Sequence, residues 1–241
     1  MNLKVDDPIA STAISAIHSG RSDELRHLLS NHPGLANTRI VDQKGVQRTL
    51  LHVASDWPGH FPNAATAVSI LIHAGADPDA VVNLGDGQTG ETPLHWAASS
   101  DDVDVIDALL DGGANLEASG AVFTGGTPMS DAVVFAQWKA ARRLLERGAK
   151  TTLWQSAALG LGDRVRADFA EKPPATREVT NAFWHACRGG QREVAEYLLE
   201  RGADMNWIGH DRKTPLQAAE ESGAADVVDW LLRRAVQLAR I

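Results

Sequence analysis

The sequence predicts an all-α solenoid, built from stacked helix-turn-helix units joined by short β-hairpin fingers. Two observations point to it. The phrase Thr92-Pro93-Leu94-His95-Trp96-Ala97-Ala98, closed by Leu109-Leu110-Asp111-Gly112-Gly113-Ala114, recurs in weaker copies along the chain. Its spacing recurs too: Thr92 to Gly113, Thr127 to Gly148 and Asn181 to Gly202 are each 21 residues. A unit of this size cannot bury its apolar face alone, so its copies stack and share a core.

Each part of the phrase has a physical task. Thr92 suits a helix cap, and Pro93 suits the first helical turn, where its missing N–H is not needed. Leu94, Ala97 and Ala98 fall on one helical face, and the small alanines let neighbouring helices approach closely. Ile106, Leu109 and Leu110 give a second helix its apolar stripe, which Gly113 ends in the left-handed conformation.

About seven repeats follow in order, near residues 8–40, 48–80, 91–118, 126–150, 151–175, 180–207 and 213–241, forming one domain over 1–241. The first is degenerate, with Ala16, Gly20, Leu28 and Leu29 at the right offsets but no Thr-Pro-Leu-His. The second opens at Thr49-Leu50-Leu51-His52 and closes at Gly75-Ala76, with residues 56–63 inserted between its helices. Long fingers at 79–91 and 115–126 flank the third. The fourth runs from Thr127-Pro128 to Gly148-Ala149. The fifth, opening at Thr152, is degenerate: the finger before it is missing, and it ends in Glu171-Lys172-Pro173-Pro174. The sixth opens at Asn181, and the seventh runs from Thr214-Pro215-Leu216 to Trp230-Leu231-Leu232.

Thr-Pro-Leu-His-x-Ala and Leu-Leu-x-x-Gly-Ala together resemble the ankyrin repeat family, from about residue 49 to the C-terminus, and 127–206 is similar to bacterial ankyrin proteins. The resemblance implies that His52 and His95 bond to the turn between repeats. It also implies a groove lined by inner helices and fingers, into which the fifth and eighth positions of each repeat point. Those positions, with one residue a turn further on, nominate Trp96, Ser99, Asp131, Trp138, His185 and Arg188 as partner-binding residues. Tryptophan and arginine are favoured anchors in binding surfaces. The function expected is a non-catalytic module that grips a protein partner. The alternative is a small-molecule-binding or catalytic variant, with His185 as base and Asp131 as its orienter. Repeats stack roughly 10 Å apart, so two residues two repeats apart are poorly placed for a direct hydrogen bond. Trp154, Trp184 and Trp207 are expected to fill the place of the missing finger.

Composition narrows the field. Hydrophobic residues at 44% and charged residues at 22% suit a foldable, water-soluble chain. A formal net charge of −8 opposes nucleic acid as partner. The run Arg142, Arg143, Arg147 reads as a solvated outer face. No apolar stretch is long enough for a membrane span. A lone cysteine, Cys187, forms no disulfide framework and reads as a small buried residue. Gly85-x-Gly87-x-x-Gly90 imitates a dinucleotide loop but is followed by the next repeat's helix rather than a parallel βαβ unit. The reading expects no cofactor, no metal, a monomer and a cytoplasmic location.

Overall fold

The computed structural model describes residues 2–84 and 90–238. The two halves of each repeat both fold as helices, fourteen among the described residues. The chain divides into two compact units, Met1–Ala149 and Lys150–Ile241.

The first unit holds four helix pairs in two layers. α1 (Pro8–His18), α3 (Leu50–Ser55), α5 (Pro93–Ser99) and α7 (Pro128–Val134) pack in succession as the inner layer. α2 (Ser22–Asn31), α4 (Ala64–His73), α6 (Val103–Asp111) and α8 (Trp138–Glu146) pack in succession as the outer layer. Leu50, Leu51, Leu71, Leu94, Ile106, Leu109, Met129 and Leu144 are all buried between them.

Threonine sets where the inner helices begin. The Thr92 amide donates to Nδ1 of His95 at 3.2 Å, and the ring lies 2.9 Å from Thr92 Oγ1. Thr49 and His52 repeat the arrangement. With Nδ1 accepting, Nε2 carries the proton. It meets the next finger, at the Glu91 carbonyl for His52 (3.1 Å) and the Gly126 carbonyl for His95 (3.2 Å). Each histidine therefore ties its own helix cap to the following finger, as the family resemblance implies. Burial pushes the pKa of His52 down to about 4 and lowers that of His95, so both are neutral at physiological pH. Asp7 replaces threonine ahead of Pro8 and caps α1 through the Ile9 and Ala10 amides.

A small sheet was not foreseen at the N-terminus. β1 (Asn2–Lys4) runs parallel to β2 (Arg39–Val41), which pairs antiparallel with β3 (Gln47–Arg48). The second and third strands are the first finger; β1 is an edge added to it from a segment with no alternating pattern. Residues 56–63 are pinned rather than free. The His60 amide donates to Asp102 at 2.6 Å, Asn63 Nδ2 donates to the Gly20 carbonyl at 3.0 Å, and the Phe61 ring stacks on His18 at 4.3 Å. This insertion joins the first three repeats of the unit.

The second unit holds α9 (Leu153–Ala158), α11 (Thr176–Arg188) and α13 (Pro215–Glu221) against α10 (Gly162–Glu171), α12 (Arg192–Leu199) and α14 (Ala225–Leu238). Val165, Phe183, Cys187, Leu198 and Trp230 lie in its core. α11 begins at Thr176, ahead of the expected opening at Asn181. The Ala175 amide donates to the Glu178 carboxylate at 2.8 Å, so the chain enters the helix where other repeats place a finger.

Candidate functional site

Four of the nominated residues lie in the first unit. Trp96, on α5, is half-buried. Its indole N–H donates to Oε2 of Glu91 at 3.0 Å, and its ring meets His52 edge-on at 4.9 Å. Ser99 donates to the Trp96 carbonyl at 2.9 Å, and its own carbonyl accepts from Gln137 at 2.8 Å. Trp138 opens the outer helix α8, because α7 stops at Val134 and the chain turns through Ala136 at φ 57°.

Asp131 is 1% exposed, and no N–H or O–H donor of the described residues serves either carboxyl oxygen. Its neighbour is the Glu91 carboxyl. Glu91 is already supplied: Oε1 accepts the Val122 amide at 2.9 Å, and Oε2 accepts the Trp96 indole. Asp131 has no such donors, so it is the Asp131 carboxyl that favours the protonated form. Burial, then the adjacent Glu91 charge, push the Asp131 pKa up to about 8. Glu91 was not singled out from sequence. It precedes the Thr-Pro step with no local mark of its role, which depends on a residue 40 positions away.

The finger before α7 reaches this pair. Gly120 (φ 133°) and Gly125 (φ 67°) bracket the tip, in conformations that L side chains seldom adopt. A Cβ on Gly120 would lie 2.8 Å from the Gly90 carbonyl oxygen, so the two fingers touch through glycines. Gly90 thus has a packing role; Gly85 and Gly87 of the imitation nucleotide loop lie outside the described residues. At the tip Val122 and Phe123 are 60% and 69% exposed, and Phe123 meets the 42%-exposed Phe135 edge-on at 5.8 Å. An apolar patch thus sits beside the carboxyl pair.

His185 and Arg188 lie in the second unit, on α11. His185 is buried, among Trp154 (4.6 Å), Trp184 (5.0 Å) and His210 (5.4 Å). Burial, then the neighbouring His210 and Arg188, push its pKa down to about 3. The Arg188 guanidinium lies 5.7 Å from the Trp184 ring, and Trp184 donates to the Lys213 carbonyl at 2.9 Å. Trp154, Trp184 and Trp207 thus belong to one packed aromatic cluster with the two imidazoles. Cys187 is buried, which raises its thiol pKa. Arg143 and Arg147 of the basic run pair with Asp107 and Asp111 of α6, while Arg142 is exposed. Among the described residues no group of three His, Cys, Asp or Glu side chains is placed to hold a metal ion, and no helix is long and apolar enough to cross a membrane.

The profile of a family described as ankyrin repeats (3 copies) matches residues 63–153 and 164–240. The mouse "Protein fem-1 homolog A-like" is 35% identical over 169 residues, covering 62% of this chain and 26% of that protein. The human "SH3 and multiple ankyrin repeat domains protein 2" is 35% identical over 154 residues, covering 58% of this chain and 8% of that protein. The human "Ankyrin repeat and SOCS box protein 16" is 30% identical over 184 residues, covering 68% of this chain and 39% of that protein. The chain thus spans well under half the length of these relatives. Among solved structures, the human ASB11 ankyrin repeat domain superposes with a TM-score of 0.52 at 19% identity, covering 93% of this chain and 97% of that one. That likeness concerns the fold.

Proposed function

We propose that this chain, which belongs to the ankyrin repeat family, is a non-catalytic module that binds a protein partner through its inner helices and fingers. The observation that carries the reading is the apolar finger tip, Val122 and Phe123 with Phe135, beside the half-buried Trp96. Exposed aromatic clusters of this kind mark interaction surfaces. Ser99 extends the surface along α5, whereas Trp138 belongs to the outer helix α8 and adjoins it through Gln137, which bonds the Ser99 carbonyl; Arg188 is half-buried in the second unit. His185 contributes by holding the tryptophans around it rather than by contact. Its low pKa also leaves it a weak base, and the buried thiol of Cys187 is a poor nucleophile. These two properties favour binding over catalysis. A single buried cysteine suits a reducing compartment, and we place the chain in the cytoplasm as a monomer.

Affinity capture on the immobilised chain, followed by mass spectrometry, tests the proposal. A protein retained by the wild type and lost with Trp96→Ala is the expected result. A chain that retains no protein, and instead carries a bound metabolite on native mass spectrometry, contradicts it.

A further inference from the structure

The buried carboxyl of Asp131 and the half-buried carboxyl of Glu91 form a pair with a deficit of donors. Two N–H groups serve Glu91; none serves Asp131 among the described residues. Structural carboxyl pairs are ordinarily matched by cations or by several N–H donors, because an unserved buried carboxyl is costly. The arginines of α8 and the neutral imidazole of α5 are committed elsewhere. Arg143 and Arg147 of α8 are held by Asp107, Asp111 and Glu146, and His95 of α5 is turned to the Gly126 carbonyl. Lys139 and Arg142 of α8 are exposed, and among the described residues Glu91 is the charge that acts on Asp131.

The cover over this pair is anchored by the buried Ala121 and is otherwise slight. Between Gly120 and Gly125 the finger tip makes one hydrogen bond to the carboxyl pair, from the Val122 amide to Glu91, and one ring contact, Phe123 on Phe135. The Trp96 indole is held at the same spot by its N–H bond to Glu91. Two carboxyl groups, an indole and an apolar rim are what a guanidinium with neighbouring apolar side chains requires. The planar fork matches a carboxylate through two hydrogen bonds and stacks on an aromatic ring.

We infer that the first unit recognises an arginine in an extended partner segment, flanked by apolar residues, which lifts the finger tip and takes the place of the proton on Asp131. The inference rests on the protein-binding reading above. The exchange balances: the guanidinium stays charged, Asp131 becomes a carboxylate, and one proton leaves to solvent for each segment bound. The apolar neighbours of the arginine pack on Val122, Phe123 and Phe135, and the arginine sits between Asp131, Glu91 and Trp96.

Synthetic twelve-residue peptides test this, with a central arginine flanked by leucine and phenylalanine, against the same peptides with citrulline, an uncharged isostere. The wild-type chain is expected to bind arginine peptides at least tenfold more tightly than citrulline peptides at neutral pH. Calorimetry in buffers of different ionisation enthalpy is expected to show release of close to one proton per peptide. Asp131→Asn should abolish both the proton release and the discrimination. Phe123→Ser, at an exposed position, should weaken both peptides alike and keep the proton release. Equal binding of the two peptides, no peptide binding, or proton release that survives Asp131→Asn overturns the inference. A partner captured equally well by wild type and Asp131→Asn, but lost with Trp96→Ala, leaves the protein-binding reading standing and removes only the arginine.

Discussion

A proton on Asp131 is what lets its buried carboxyl lie against the half-buried Glu91 beside Trp96. That proton has a measurable cost. An unfolded aspartate ionises near its ordinary value of 3.8, whereas Asp131 in the folded chain holds its proton to about 8. Between those values the folded state binds more protons, so this residue's contribution is intact below about pH 4 and is lost as pH rises toward 8. Asp131→Asn should therefore stabilise the fold at pH 8 by about 1–3 kcal/mol, with the gain shrinking toward zero near pH 4. Denaturant titrations of both proteins across that range check it; a pH-independent difference contradicts the carboxyl pair. The imidazoles act in the opposite sense. His52 and His185 resist protonation down to about 4 and about 3, while unfolded histidine takes a proton near 6.5. Stability due to these two is present above pH 6.5 and is lost as pH falls below it. Trp96→Ala is expected to weaken partner binding by about 1–2 kcal/mol while the chain stays folded; circular dichroism alongside the binding titration separates loss of contact from loss of fold.

At the scale of the helix and the finger, the repeat register makes quantitative demands. Leu109, fully buried on α6, should cost roughly 2–4 kcal/mol when truncated to alanine. Unchanged stability would show that α6 does not face the shared core. Phe123→Ser, by contrast, should alter stability by no more than about 0.5 kcal/mol, as expected for an exposed position. The helices were legible because their signals are local: threonine before proline, leucine and alanine at helical spacing, glycine after the last turn. Gly75, Gly113, Gly148 and Gly202 all take positive φ where the repeat closes. What escaped sequence reasoning depends on contacts between distant segments. β1 has no pattern of its own and exists through pairing with β2. α11 starts early because Glu178 reaches back to the Ala175 amide. Glu91 gains its role only when Asp131 and the amide of Val122 arrive beside it. The groove rule nominated Asp131 and Trp96, but it carried no information about which of the nominated side chains would be buried.

On the scale of the whole molecule, charge sets how the proposed partner would be met. A formal net charge of −8 favours association with a cationic segment, and such steering weakens as salt shortens the screening length. The association rate with a basic partner is expected to fall severalfold between low and high ionic strength, with a smaller change in dissociation rate. Stopped-flow or surface-binding kinetics at several salt concentrations resolve the two. On the proposed reading, specificity rests on side chains of the inner helices and finger tips, whereas Thr92, His95 and their counterparts are occupied with capping helices and tying them to the next finger. Capture from a source-cell lysate, using the wild-type chain in parallel with a Trp96→Ala, Phe123→Ser double variant of verified fold, tests the protein-binding claim most directly. One protein retained by the wild type and depleted at least tenfold on the double variant is the predicted result; equal retention by both chains, or no protein retained by either, contradicts it.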